Sequence, residues 1–306
     1  MLVLLWIVLG GVVVGLLALD LLVLHRHAHR ESLKQAAWWS VFWVGLGLGF
    51  ALFVYATKGS DAALAYLTAF LIEKSLSVDN LFVFLALFTY FGVQPEYQHR
   101  VLFWGIIGAL VTRGVFIVAG VALLATFHFL LYVLGALLIA TGARLALGEG
   151  GEVHPEHNLV VRWASRVLPI VSSYRGEKFV VRVGGAWQFT PLFLVLLAIE
   201  STDVMFAVDS VPAVLAVSRD VFVVYSSNIF AILGLRALYF VLAGAIRALR
   251  FLRPALALIL VLVGVKMILA DVVEVPTALS LLLVAVILGA ATVASLLLPQ
   301  RSEEDT

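Results

Sequence analysis

The chain has 306 residues, 63% of them hydrophobic and 13% charged, with a mean hydropathy of +1.11 and a net charge of +1. A soluble domain is nearer half apolar and a quarter charged, so the composition excludes one, and the apolar excess along the whole length reads as a polytopic membrane protein. The near-neutral charge gives no basis for nucleic-acid binding, and the absence of cysteine excludes disulfides and thiolate metal ligands.

Apolar runs of about 20 residues are candidate membrane helices. Nine are predicted: Leu2–Leu24, Ala37–Thr57, Ala62–Phe91, Val101–Thr126, Phe129–Leu147, Pro191–Val217, Val221–Ile246, Pro254–Ala270 and Thr277–Leu298. The first lacks a basic leader and is followed by a basic cluster, which suits a membrane helix with its N-terminus outside better than a cleaved signal. Trp38, Trp39 and Trp43 read as an interface belt, and His25, His27 and His29 as a solvated basic flank. The third and sixth runs exceed a straight crossing, so tilt or a local break near their polar residues is expected to absorb the excess.

Lys and Arg in the loops set the orientation. Arg26, Arg30 and Lys34, then Arg162, Arg166, Arg175, Lys178 and Arg182, then Arg247, Arg250 and Arg253 all fall on one side when nine helices are threaded. The opposite side offers only Lys58 and Arg219. The N-terminus is therefore expected outside and the C-terminus in the cytoplasm. Within the long loop Gly148–Thr190, the segment His157–Leu168 places Leu159, Val160, Trp163 and Val167 on one face, as in a short interfacial helix. Phe179–Val183 and Ala186–Thr190 flank Gly184-Gly185 as a hairpin. The loop holds no catalytic set and is expected to pack against the bundle. The predicted fold is an all-α membrane protein forming a single polytopic domain over 1–299, with a disordered tail over 300–306.

Two stretches place acids at membrane depth: Glu73-Lys-Ser-Leu-Ser-Val-Asp79-Asn80, and Glu200-Ser-Thr-Asp203-Val-Met-Phe-Ala-Val-Asp209-Ser210. A carboxylate there is costly unless paired, protonated or bound to a cation, so it marks a functional site. Glu200 and Asp203 share a helix face. Glu73 and Asp79, like Asp203 and Asp209, are six apart, about 120° around a regular helix. Either the helix unwinds, or each pair straddles a groove with one acid in each wall. Pro212 frees the Val208 carbonyl. Ser77, Asn80, Ser201, Thr202 and Ser210 add neutral oxygens. Oxygen ligation favours Mg²⁺, Ca²⁺ or Mn²⁺ over Zn²⁺ and Cu²⁺, and Met205 near the acids would suit Mn²⁺ better than Mg²⁺. Arg113, Arg236, Lys74 and Lys266 are candidate counter-charges. The remaining acids would be protonated without metal, because burial and like charges disfavour ionisation, so metal entry would displace protons.

The stretches also align with each other. Asp79-Asn80 matches Asp209-Ser210, Glu73 matches Asp203, Arg113 matches Arg236, and Gly142-Ala-Arg144 matches Gly264-Val-Lys266. Three helices over 62–147 thus repeat over 191–270, across the 148–190 loop, and threading makes the repeat inverted, with its site at the midplane.

At these two stretches the chain resembles the TerC family of integral membrane proteins, from about Trp38 to Leu298. The resemblance implies kinship with the lysine-exporter superfamily and Mn²⁺ export, with Glu73, Asp79, Glu200, Asp203 and Asp209 as the ion site. Asn80 and Ser210 complete the expected shell. It also brings Ca²⁺ transport, tellurite stress and membrane-protein assembly into view. The expected function is Mn²⁺ efflux across the inner membrane, with protons as the exchange partner, Ca²⁺ as a second candidate cargo and no organic cofactor. The alternative is a membrane scaffold for envelope-protein assembly or tellurite and stress resistance, its metal site structural. No Ser/His/Asp set, histidine metal motif or phosphate loop is present, so an enzyme is not expected.

Overall fold

The computed structural model describes residues 2–20, 33–127, 129–147, 158–244, 251–273 and 275–297. It is nearly all helical: α1 Leu2–Leu19, α2 Leu33–Lys58, α3 Ser60–Tyr90, α4 Pro95–Thr126, α5 Leu130–Ala146, α6 Leu159–Val167, α7 Pro191–Leu215, α8 Val221–Leu233, α9 Leu235–Gly244, α10 Leu252–Ile268 and α11 Thr277–Leu297, with one hairpin, β1 Val180–Val183 and β2 Ala186–Phe189. His25, His27, His29, His128, the Arg247–Arg250 stretch and the 300–306 tail lie outside the described residues.

Among the described residues four helices are long and apolar enough to cross a bilayer: α2, α4, α7 and α11. The α8–α9 pair, bent by 40°, makes a fifth, while α1, α5 and α10 are shorter apolar helices. α3 has the length, with 31 residues, but Asp61, Glu73, Lys74 and Asp79 make it too polar to qualify by composition. Apolar side chains such as Leu52 (73%), Val115 (64%) and Val286 (58%) are exposed, a surface suited to hydrocarbon and not to water. The chain is an integral, multi-pass membrane protein.

Local sequence sets the ends of these helices. α3 closes on Gly92 at φ 63°, with the Gly92 N–H donating to Thr89 O (3.1 Å) and Val93 N–H to Phe88 O (2.9 Å). These are the paired bonds of a Schellman cap, which glycine enters without strain. Pro95 and Pro191 open α4 and α7 at positions that need no N–H. Asp220 caps α8 by accepting from Phe222 N (2.9 Å) and Val223 N (3.3 Å). Gly184 and Gly185, both at positive φ, form the two-residue turn that pairs Val183 with Ala186.

Of the two expectations for the third and sixth runs, tilt or a local break, the break does not occur, since α3 and α7 are continuous, the latter through Pro212. The break falls in the seventh run, at Gly234. A Cβ there would lie 2.6 Å from Trp43 Cβ, so α2 presses on the backbone at the joint. Trp43 is accordingly 2% exposed, a packing residue and not part of an interface belt; Trp38, at 75%, is exposed.

α4 runs parallel to α7, with Gly105 on Ile199, Gly108 on Glu200 and Gly120 on Leu215. α3 runs parallel to α8 and α9, with Lys74 on Ala231 and Phe88 on Tyr239. α5 crosses α10 antiparallel at glycines. A Cβ on Gly135 would lie 2.9 Å from Gly264 O, one on Gly264 2.6 Å from Gly135 O, and one on Gly142 2.7 Å from Ala257 O. Such close backbone approach is how apolar helices associate where hydrophobic burial drives nothing.

The loop docks on the end of the bundle where α3 stops and α4 starts. Tyr174 Oη donates to Phe91 O at 2.6 Å, and Arg100 meets Glu177 at 3.7 Å. α6 leaves Leu159, Val160, Trp163 and Val167 exposed and buries Val161 and Ala164, so the predicted apolar face points away from the bundle.

Candidate functional site

The centre of the site is a cation supplied by the protein. Arg113, midway along α4, is fully buried. Its guanidinium forms an ion pair with Glu73 of α3, itself fully buried. On its other side it donates from Nη2 to Asp203 Oδ1 (3.1 Å) and from Nε to Asp203 Oδ2 (3.4 Å), the forked geometry suited to a carboxylate. Nη1 also donates to Ser210 Oγ at 3.3 Å. One arginine thus joins α3, α4 and α7 through the matched acids of both motifs.

The remaining acids are distributed around this pair. Glu200 faces α4 one turn before Asp203, as the i,i+3 spacing requires, and its carboxylate lies in the space left by Gly108. A Cβ there would come within 2.0 Å of Glu200 Oε1. Asp209 turns to α5 and accepts from Thr141 Oγ1 at 3.0 Å. Arg144 lies within electrostatic reach of it. Asp203 and Asp209 therefore straddle, one acid in the α4 wall and one in the α5 wall, with α7 unbroken between them. Asp79 lies on α3, but its side chain is outside the described residues. Asn80 is buried. Among the described residues no three His, Cys, Asp or Glu side chains converge as a metal cage, and the Arg113 guanidinium lies between Glu73 and Asp203.

Of the four predicted counter-charges, Arg113 meets two motif acids, Glu73 and Asp203. Arg236 pairs with Asp20 Oδ1 at 2.5 Å, Lys74 donates to Ala231 O at 3.0 Å, and Lys266 donates to Ser280 Oγ at 2.8 Å. Met205 is 69% exposed, so its sulfur stays out of the site. Ser201 and Thr202 donate back to Ala198 O at 3.0 and 2.7 Å.

Three partners escaped the sequence reading. Asp20, 5% exposed at the end of α1, was visible as a lone acid in an apolar run. Thr141 carries no signal beyond lying three residues before the matched Arg144. Asn158 caps α6 through Val160 N (3.0 Å) and Val161 N (3.1 Å) and donates to Ser201 Oγ at 2.8 Å. The loop is thereby pinned to the residue after Glu200. A small gap of about 10 Å³ lies beside Arg113's partners, lined by Ala109, Asp203, Ile232 and Arg236. That is close to the volume one water needs.

The arrangement holds the Arg113 guanidinium between carboxylates from two helices. Comparison with known proteins agrees with the membrane architecture. The family model for the integral membrane protein TerC family matches residues 58–303. An uncharacterized membrane protein of Myxococcus xanthus, STKORF319, is 46% identical over 96% of this chain and 92% of its own length. Proteins named as candidate membrane-bound redox modulators, Alx, are similar too: that of Salmonella typhi is 46% identical over 95% of this chain and 92% of its own, and that of Escherichia coli K12 45% over 91% and 89%. No solved structure matches. With its family signature spanning most of the length and relatives this similar end to end, the chain belongs to the TerC family of integral membrane proteins.

Proposed function

We propose that the chain exports a divalent cation, Mn²⁺, from the cytoplasm across the bacterial inner membrane in exchange for protons. The observation that carries this reading is Arg113, a buried cation clamped by Glu73 and Asp203 from two helices. Together those acids carry the charge of one divalent ion. In its absence the guanidinium supplies one positive charge and a proton the other. An entering ion competes with both, so its arrival releases a proton and frees the arginine. Oxygen donors favour hard cations. Mn²⁺ is chosen among them from the family resemblance, with Ca²⁺ as the second candidate cargo. Asp79, Asn80, Asp209 and Ser210 extend the path as matched ligands of the two halves.

The inverted repeat is supported by a reciprocity at the α5–α10 crossing. Matching Gly142 to Gly264 also matches Gly135 to Ala257. The contact between Gly135 and Gly264 then interchanges with that between Gly142 and Ala257, and both occur. The α4–α7 and α3–α8 pairs interchange in the same way. With α8 and α9 taken as one bent span, the bundle has nine crossings. The basic loop then lies in the cytoplasm, with the apolar face of α6 against the inner leaflet.

The test is Mn²⁺, Ca²⁺ and Mg²⁺ flux in proteoliposomes, with and without a pH gradient, for wild type, Asp79→Asn, Asp203→Asn and Asp209→Asn. Gradient-dependent Mn²⁺ flux lost in the variants is the expected result. Folded protein that moves none of the three ions overturns the reading and leaves the scaffold. The redox modulation named for the Alx relatives, if carried to this chain, cannot run through its own thiols, because it has no cysteine. It would act through the ion that is moved.

A further inference from the structure

Among the described residues, α8 carries a buried amide with nothing to bond. Both polar atoms of Asn228, 1% exposed, lack a hydrogen-bond partner, as do Ser77 Oγ at 0% and Glu73 Oε2. Their neighbours show that relief was at hand. Ser75 donates to Leu71 O (2.6 Å), Ser226 to Val223 O (3.2 Å) and Ser227 to Val224 O (2.9 Å). Buried polar groups left unpaired are costly and rare, and each calls for a cause.

Helix geometry places Asn228 at the acid site. Tyr225 marks the side of α8 that meets α4, since its hydroxyl donates to Leu110 O at 3.1 Å and its ring abuts Gly114. Ile232 marks the same side, lining the small gap with Ala109 and Asp203. Ala231, about 120° round from Tyr225, marks the side towards α3, where its carbonyl accepts from Lys74 Nζ at 3.0 Å. At about 100° per residue, Asn228 falls roughly 60° from Tyr225 towards α3. It therefore points into the α3–α4 seam, at the level of Leu110 to Gly114. That seam holds the Glu73–Arg113 pair, and Ser77 follows Glu73 by one turn on the same face.

We propose that Asn228 Oδ1 and Ser77 Oγ, with the open oxygen of Glu73, form the neutral side of a divalent-cation site where α8 faces the α3–α4 seam. This rests on the exporter reading and names its missing ligands. Glu73 and Asp203 balance the charge of a divalent ion, and the amide and hydroxyl add the uncharged oxygens that a hard cation takes. Arg113 holds the carboxylates until the ion arrives. The unpaired amide is the preorganised remainder of the coordination shell.

The experiment compares full-length wild type, Asn228→Ala, Asn228→Asp, Ser77→Ala and Glu73→Gln in proteoliposomes. It measures the half-saturating Mn²⁺ concentration for flux and the unfolding temperature with and without Mn²⁺. Asn228→Ala should raise half-saturation by roughly tenfold or more, as expected for loss of a group that shapes a metal shell. It should also lose the rise in unfolding temperature on adding Mn²⁺, without a lower unfolding temperature in metal-free buffer. Asn228→Asp, which keeps an oxygen, should retain both responses. A metal-free destabilisation with half-saturation unchanged would make Asn228 a structural residue and overturn the proposal. Loss of flux in Glu73→Gln with full function in Asn228→Ala would overturn it while leaving the exporter standing. If wild type moves no Mn²⁺, the exporter falls. A Mn²⁺-induced stabilisation present in wild type and absent in Asn228→Ala would then still uphold the site, and its presence in both would sink that too.

Discussion

Arg113 and Arg236 are both buried arginines in apolar helices, yet they hold different acids. Arg113 is enclosed between Glu73 of α3 and Asp203 of α7. Arg236 pairs with Asp20 at the end of α1 and lines the same small gap as Asp203. The difference comes from α1, whose Asp20 anchors Arg236 at a helix end, while Arg113 sits at mid-helix between acids of two other helices.

The largest expected effect is at Arg113. Replacing it with Leu leaves Glu73 and Asp203 buried without a counter-ion, and breaking a buried pair this way costs about 3–5 kcal/mol. Thermal unfolding in detergent measures it. Adding Glu73→Gln to Arg113→Leu should recover a large part of the loss, because the orphaned charge goes with it. If Arg113→Leu were as stable as wild type, both acids would be neutral in the resting protein and the contrast between the arginines would lose its basis.

Next comes Arg236→Leu, which takes the arginine from the Asp20 carboxylate at a helix end, for a loss of about 1–3 kcal/mol. The same unfolding measurement ranks the two. Equal losses would mean that place along the helix is not what separates them. Gly108→Ala follows, with an overpacking loss of about 1–3 kcal/mol, since its methyl would meet the Glu200 carboxylate. Its diagnostic outcome is that Gly108→Ala combined with Glu200→Ala recovers the stability that Gly108→Ala alone loses.

Much of this was legible in the sequence. The long helices, the hairpin on Gly184-Gly185 and the two acidic motifs follow from runs, turns and isolated charges that a bilayer makes expensive. Glu73 and Asp203 stand out in the sequence as acids in apolar runs, but that one arginine joins them does not. What stayed hidden is three-dimensional competition. Arg236 and Lys74 look as available as Arg113 in the sequence, but Asp20 and the Ala231 carbonyl are nearer to them. The break at Gly234 depends on Trp43 arriving from another helix, which no local pattern records. Asn228 lay in an apolar run without a charge to draw attention, and only its lack of partners singles it out.

The smallest effect tests whether depth explains these costs. Lys58 and Asp220 form an ion pair where α2 ends and α8 begins, with side chains 19% and 38% exposed. Water reaches the pair, so its charges are partly screened, and Lys58→Ala should lose no more than about 1 kcal/mol. Asp220 keeps its cap on Phe222 and Val223 in that variant. Asp220→Ala loses the cap as well and should cost about 0.5–2 kcal/mol. Unfolding of the two variants beside Arg113→Leu separates a rim pair from a buried one with the same chemistry. If Lys58→Ala cost as much as Arg113→Leu, burial would not be what makes Arg113 matter, and its place between the two motifs would reflect packing alone.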